Sequence, residues 1–267
     1  MAKYTIITIN YNNGKGLRST IESVINQTFD DVEYIIVDGG STDNSVDIIK
    51  DFSERINFWV SERDGGVYSA MNKGLHHAHG EYVNFMNSGD TFYSPHVLEE
   101  IDCQMGDADI LFGNVCDAAT GKLYGGIKAD SEITFLTLKK EILCHQGTFY
   151  RRTIFNRHPY DENLRLIADW KVNVQAIVLD NCKVKVVDTI VANYDLTGMS
   201  STQSQLHAEE RRKVMKELIP ERILKDYVHL YNEEEMPLIK LLPELKKRGR
   251  VQKLVYLLAK YILRLTQ

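Results

Sequence analysis

The chain has 267 residues, 43% of them hydrophobic and 26% charged, with a formal net charge of −5. That length can bury a sizeable core, the composition excludes a disordered chain, and the charge gives no overall attraction to nucleic acid. The four cysteines (Cys103, Cys116, Cys144, Cys182) form no Cys-x-x-Cys pair, the N-terminus is not signal-like, and no apolar run approaches the ~20 residues that cross a bilayer, so the expectation is reduced thiols and a cytoplasmic location.

Tyr4 to Ile9 is a β-branched run, Leu17 to Asn26 carries Leu17, Ile21, Val24 and Ile25 at helical spacing, and Tyr34 to Val37 is a second apolar run. This predicts a βαβ unit, and the lack of polar alternation in its strands predicts a parallel sheet buried on both faces. The strands end in Asn10-Tyr11-Asn12 and Asp38-Gly39-Gly40-Ser41-Thr42-Asp43, with Ser41 or Thr42 expected to cap the next helix. Phe58 to Ser61 is a third strand. A glycine-rich acidic loop, a helix and the strand ending in Asn87-Ser88-Gly89-Asp90 follow it.

Beyond Asp90 the alternation falters. Pro95 opens a helix to about Met105, Ile110 to Val115 is a strand, and residues 118–130 read as a hairpin or loop. Ser131 to Leu143 has helical character, Gly147 to Tyr150 is a short strand, Asp169 to Leu179 a helix, and Val184 to Val187 and Ile190 to Tyr194 are separate strands. After about Ser204 charged helix formers dominate, divided by Pro220, Pro237 and Pro243. The segment Leu245 to Leu265 places Val251, Leu254, Val255, Leu258, Ile262 and Leu265 on one helical face, with lysines and arginines around it and no acidic residue after Glu244.

In an open α/β sheet, ligands bind beyond the carboxyl ends of the strands. Asp38, Asp64 and Asp90 are placed after the second, third and fourth strands, so a single crevice rimmed by carboxylates is expected. Asp64-Gly65-Gly66 before a helix containing Asn72 and Lys73 is a weak phosphate-binding turn. The spacing of a P-loop is absent, and so is a Gly-x-Gly-x-x-Gly fingerprint.

Asp64-Gly65-Gly66-Val67-Tyr68-Ser69-Ala70-Met71-Asn72-Lys73-Gly74, followed by a strand and Asn87-Ser88-Gly89-Asp90, resembles the inverting family 2 glycosyltransferases, especially their bacterial polysaccharide-assembly branch. The likeness covers residues 3 to about 200 and is strongest over 34–44 and 61–93. It implies an α/β fold of the GT-A type, the Rossmann-like nucleotide-diphospho-sugar transferase architecture: a mixed sheet flanked by helices over residues 1–204; the shift in composition after about Ser204 adds a helical C-terminal extension over 205–267, which carries no family motif.

By this resemblance Thr8, Asp38 and Asp64 match positions that line the nucleoside pocket, and Asn10, Tyr11, Asn72, Lys73 and Ser88 join them as candidate donor contacts. The family's metal motif is Asp-x-Asp or Asp-Asp. Here Asp90 alone is a carboxylate, and Mn²⁺ or Mg²⁺ would be held by it together with substrate phosphates and water. Asp169, in Ala168-Asp169-Trp170, matches the base that deprotonates the acceptor hydroxyl. His145 and Gln146 are candidates for acceptor contact or support of the site, and Gly198-Met199-Ser200-Ser201 for a mobile lid.

The implied activity is inverting, metal-dependent hexosyl transfer from a nucleoside-diphosphate sugar, a UDP-sugar first, to a hydroxyl of a lipid-linked glycan in bacterial polysaccharide biosynthesis. The C-terminal helix suggests a peripheral place on the anionic inner face of the cell membrane, with packing on the catalytic domain or on a dimer partner as the open alternative. Two alternatives stay open. A nucleotidyltransferase would carry a basic glycine-rich loop where Ile9-Asn10-Tyr11-Asn12-Asn13-Gly14 stands, and the reduced metal motif suggests a catalytically inactive sugar-nucleotide-binding protein.

Overall fold

A computed structural model describes residues 2–124, 127–141, 143–194, 204–234, 247 and 249–265. Its first strands and helices alternate as expected: β1 (Tyr4–Asn10), α1 (Gly14–Ile25), β2 (Val32–Asp38), α2 (Ser45–Asp51), β3 (Phe58–Ser61), α3 (Val67–His77) and β4 (Tyr82–Phe85). Strands β1 to β4 are mutually parallel in the order β3-β2-β1-β4. Every residue of β1 is buried, as continuous apolar strands require when helices cover both sheet faces.

Two local features fix how the helices start and how closely they pack. Asn13 caps α1, its side chain accepting from the Gly16 amide. Helix α3 lies so near β1 that a Cβ on Gly74 would sit 2.6 Å from Ile7 Cγ2, so glycine sets that approach.

The chain then turns back on itself. The next elements are β5 (Thr91–Phe92), α4 (Val97–Met105), β6 (Ile110–Asp117), β7 (Leu123–Tyr124), α5 (Phe135–Lys140), β8 (Thr148–Arg151), α6 (Thr153–Arg157), α7 (Ala168–Asn173) and β9 (Val184–Tyr194). Among the described residues they complete a nine-stranded sheet in which β8 runs antiparallel between β4 and β6, β9 runs parallel to β6, and β5 and β7 pair with β9 and β6.

Several expectations change here. Ser41 and Thr42 do not cap α2: Asn44 is its N-cap with no side-chain bond, because Ser41 is drawn to the buried Asp38 carboxylate instead. The helix expected over 131–143 shortens to α5, which Thr134 opens with a reciprocal capping box to Thr137. The helix expected from Asp169 becomes α7 and then a π-helical stretch, Val174–Leu179. The two strands expected over 184–194 are one, because β9 crosses an irregularity in its register with β6 near Gly113 without breaking.

The chain divides into two compact units, Met1–Arg211 and Arg212–Gln267. Helix α8 (Ser204–Leu218) runs through the boundary, and α9 (Glu221–Glu234) and α10 (Gly249–Leu265) belong to the second unit. Pro237, Pro243 and the Gly198-Met199-Ser200-Ser201 segment lie outside the described residues.

Candidate functional site

The strand order places a switch point between β1 and β4, because the chain leaves β1 toward β2 on one side and returns to β4 on the other. A crevice opens at such a point beyond the carboxyl ends of the strands. Asn10, Tyr11 and the 87–90 tip are delivered there by β1 and β4, and Asp38 by the end of β2.

Asp38 is fully buried, and its carboxylate accepts five hydrogen bonds: from Asn10 Nδ2 (2.7 Å), Ser41 Oγ (2.6 Å), Ser61 Oγ (2.6 Å) and the amides of Ser41 (2.9 Å) and Gly40 (3.2 Å). Burial pushes its pKa up, but the donors, led by the hydroxyls of Ser41 and Ser61, outweigh it and hold the group below the ordinary carboxylate range. An incoming ligand could bond to this carboxylate only by replacing one of these donors. Asn10 Oδ1, by contrast, is buried without a partner among the described residues.

Tyr11 stands 67% exposed beside this knot. A Cβ on Gly39 would lie 2.9 Å from Asp64 Oδ2 and 3.3 Å from Tyr11 Cδ2, so Tyr11, Gly39 and Asp64 share one rim. Asp64 also accepts from the Gly66 amide at 2.9 Å, where the chain takes φ 119° before α3.

The other donor candidates have protein partners. Thr8 is buried, bonded to Met86 O and the Tyr34 hydroxyl. Asn72 exchanges hydrogen bonds with the Tyr160 backbone and donates to Glu162, and Lys73 pairs with Glu62 at 2.8 Å. The Ser88 hydroxyl and carbonyl both accept from Asn13 Nδ2, tying the β4 tip to the start of α1.

Beyond β4, Asp90 is 4% exposed and its Oδ2 accepts from Gln146 Nε2 at 2.9 Å. Gln146 and its neighbour His145 sit in a tight turn, His145–Gly147, that leads into β8. Buried Asn84 on β4 fixes this turn by donating to the carbonyls of Gln146 and Thr148. His145 reaches the other way: its Nε2 lies 2.9 Å from Asn87 Nδ2 and its Nδ1 lies 3.6 Å from Asp169 Oδ2.

Asp169 occupies the first turn of α7, where the helix dipole favours a negative charge. Its Oδ1 accepts from the Trp170 amide at 2.8 Å and more loosely from the Tyr68 hydroxyl at 3.5 Å. Burial, then the Asp169 charge, pushes the Tyr68 phenol well above its ordinary value, so it stays a donor. Burial and the charges of Asp169 and Asp90 together push the neighbouring Cys144 thiol up to about 12, which removes it as a nucleophile.

Residues that the sequence does not single out hold α7 in place. Glu210 accepts from the Arg165 and Leu166 amides at 2.7 and 3.0 Å. Arg211 donates to the carbonyls of Leu138 and Lys139, and its guanidinium lies 4.8 Å from the Trp170 ring centre. Glu210 and Arg211 read in sequence only as charged helix formers; Asn87 and Tyr68 lie inside the motif runs yet carry no local sign of their partner.

Among the described residues no group of three His, Cys, Asp or Glu side chains could hold a metal ion. The oxygen chemistry of Asp90 suits a hard cation such as Mn²⁺ or Mg²⁺, but a single carboxylate makes a site only in company with the phosphates of a nucleotide.

Residues 5–158 match the model of the family described as glycosyl transferase family 2. The chain is 30% identical over 207 residues to a PGL/p-HBAD biosynthesis glycosyltransferase of Mycobacterium bovis, covering 74% of this chain and 79% of the relative. It is 30% identical over 178 residues to glycosyltransferase GlyG of Streptococcus pneumoniae, covering 65% and 53%. Among solved structures it resembles S. aureus TarS in complex with UDP-GlcNAc, with a TM-score of 0.65 and 21% identity over 80% of this chain and 64% of that one. It also resembles a mannosyltransferase of Pyrobaculum calidifontis in complex with GDP-Man and Mn²⁺, with a TM-score of 0.61 and 16% identity over 98% and 80%. At these identities the structural likeness establishes the fold, the GT-A architecture.

Proposed function

This chain belongs to glycosyl transferase family 2, and from that premise we propose that it is an inverting transferase moving a hexose from a nucleoside-diphosphate sugar, a UDP-sugar first, to a hydroxyl of a lipid-linked bacterial glycan. Family membership sets the nucleotidyltransferase alternative aside. The observation that carries the reading is the dipeptide His145-Gln146, which touches two carboxylates at once: Gln146 holds Asp90 and His145 faces Asp169. A donor-side carboxylate and a carboxylate able to take a proton thus flank one crevice, as a direct displacement needs.

In that displacement the acceptor oxygen attacks the anomeric carbon on the face opposite the diphosphate. The new C–O bond forms as the bond to the diphosphate oxygen breaks, its electron pair leaves with the nucleoside diphosphate, and the hydroxyl proton passes to Asp169. Tyr11, Asp64 and Asn10 Oδ1 line the nucleoside end, with Asp38 bracing the loop behind them. A divalent cation brought with the donor and held by Asp90 would neutralise charge on the departing diphosphate. The catalytic domain is assigned to residues 1–204 and the helical extension to 205–267.

For the extension we assign a peripheral membrane role. Leu254, Tyr256, Leu257 and Leu258 of α10 are all more than half exposed, Lys253 and Lys260 stand among them, and no described helix is long and apolar enough to cross a membrane. Full-length protein should co-sediment with phosphatidylserine vesicles, and replacing Lys247, Lys253 and Lys260 by Glu should abolish this; equal sedimentation of both sinks the role.

Asp169→Asn tests the mechanism. Turnover of the best stabilising donor from a thermal-shift screen of UDP-, GDP- and dTDP-sugars with Mn²⁺ should fall by about 10² to 10⁴ with nucleotide affinity little changed. NMR of the wild-type product should show an inverted anomeric centre. Retained turnover removes Asp169 as the base, absence of turnover in the wild type favours the inactive binding protein, and a retained configuration overturns the displacement.

A further inference from the structure

The His145 side chain touches both Asn87, in the tip carrying Asp90, and the carboxylate assigned as base. Asn87 Nδ2 can only donate, so at 2.9 Å it makes His145 Nε2 an acceptor. A neutral imidazole with Nε2 accepting carries its proton on Nδ1, the nitrogen 3.6 Å from Asp169 Oδ2. In this orientation Asn87 Oδ1 is buried without a partner among the described residues, and turning the amide over would bring that oxygen to the ring, so the placing of the proton on Nδ1 rests on the facing Asp169 carboxylate.

The two oxygens of Asp169 are thereby divided. Oδ1 is committed to the Trp170 amide and the Tyr68 hydroxyl, while Oδ2 faces the imidazole. The side chains of His145 and Asp169 are each 19% exposed, so neither is sealed from solvent. Resting on the reading of Asp169 as base, we propose that His145 is a positioning residue: its Nδ1–H orients Asp169 Oδ2 toward the acceptor hydroxyl, and its Nε2 ties that orientation to Asn87 on the donor side. The separation of 3.6 Å is long for a hydrogen bond, and such contacts tighten when substrate fills a site. The arrangement couples filling of the donor tip to aiming of the base, because Asn87 and Asp90 share one turn in which the Asp90 amide donates to the Asn87 carbonyl.

Two measurements on the full chain test this. Long-range ¹H–¹⁵N spectra of the ligand-free protein should show His145 as the Nδ1–H tautomer; an Nε2–H tautomer overturns the proposal without bearing on the base assignment. The second is a double-mutant cycle read as nucleoside diphosphate release from the donor identified by thermal shift, with water as acceptor. His145→Gln places its amide near Nε2 and loses the donor to Asp169, so kcat should fall ~10- to 100-fold while donor KM stays within about 3-fold. His145→Asn keeps an N–H near the Nδ1 position and should recover most of the loss, which also excludes a folding defect as its cause. In an Asp169→Asn background, His145→Gln should add no further loss. Equal losses in both backgrounds, or a loss confined to KM, overturn the positioning role. Full release by Asp169→Asn alone overturns the base reading and the proposal with it.

Discussion

The parallel half of the sheet and the mixed half hold their polar groups differently. In the first, Asp38 is buried under five donors, Asn13 and Ser88 lock α1 to β4, and Gly74 lets α3 lie against β1. In the second, the hydrogen bonds and ion pair of Asp169 among the described residues are one short backbone bond and two contacts of 3.5 and 3.6 Å, with the charge of Arg211 also acting on it. The difference fits the separate tasks proposed for the two carboxylates. Groups with saturated hydrogen bonding keep a loop rigid, whereas a carboxylate that must take a proton from substrate needs capacity left over. Substitutions in the parallel half should therefore be read mainly in stability, and those beside Asp169 mainly in rate.

Asp38→Asn should give the largest stability loss. An amide nitrogen would face hydroxyl and amide donors inside a buried site, costing about 3 kcal/mol. The pH dependence follows from the lowered pKa of Asp38. The folded state binds its proton less readily than the unfolded state, so the carboxylate stabilises the fold above the ordinary range near ~4, and that contribution is lost as pH falls through the folded value. Thermal melts of the wild type should therefore decline more steeply below that range than those of Asp38→Asn, and parallel curves would refute the argument.

Asp90→Asn comes next. It keeps the shape and an oxygen for Gln146 but loses the charge, so Mn²⁺-assisted UDP binding by calorimetry should weaken by about 100-fold, with metal-free binding unchanged. Unaltered metal dependence would move the cation elsewhere. Glu210→Gln, which weakens the two backbone bonds behind α7, should cost about 1.5 kcal/mol in denaturant unfolding. It should also lower turnover, because the loop leading to Asp169 loosens; a stability loss with unchanged turnover would show that α7 is positioned by other contacts.

The parallel half was legible because its signals are local. Continuous apolar runs such as Tyr4 to Ile9, each followed by a polar tip, report burial on both faces and the direction of the chain at once. The mixed half depends on long-range pairing. That β9 is one strand depends on β6 continuing beside it through a bulge, and nothing in Val184 to Tyr194 records that. Ser41 was misread for a related reason: helix capping is a local rule, but the demand of a buried carboxylate three residues earlier overrode it. The motif runs contain the carboxylates proposed for the crevice; the pairing of His145 with Asn87, 58 residues away, is visible only in three dimensions.

Gly39→Ala should have the smallest effect and separates the two halves most cleanly. The added methyl would fall 2.9 Å from Asp64 Oδ2 and 3.3 Å from Tyr11 Cδ2, closer than unstrained contacts allow. Both neighbours are outer atoms of side chains at the rim, and Tyr11 is largely exposed, so they can swing aside and melting should barely change. Moving them would misplace the surfaces assigned to the nucleoside, and donor affinity by calorimetry should fall by about 3- to 10-fold, roughly 1 kcal/mol. Turnover at saturating donor should stay near wild type, since Asp169 and His145 are untouched. An unchanged affinity would mean that the nucleoside does not lie against Tyr11 and Asp64, and the donor pocket would have to be sought along the Asn10 side of the crevice, where the orphaned Oδ1 offers the other acceptor.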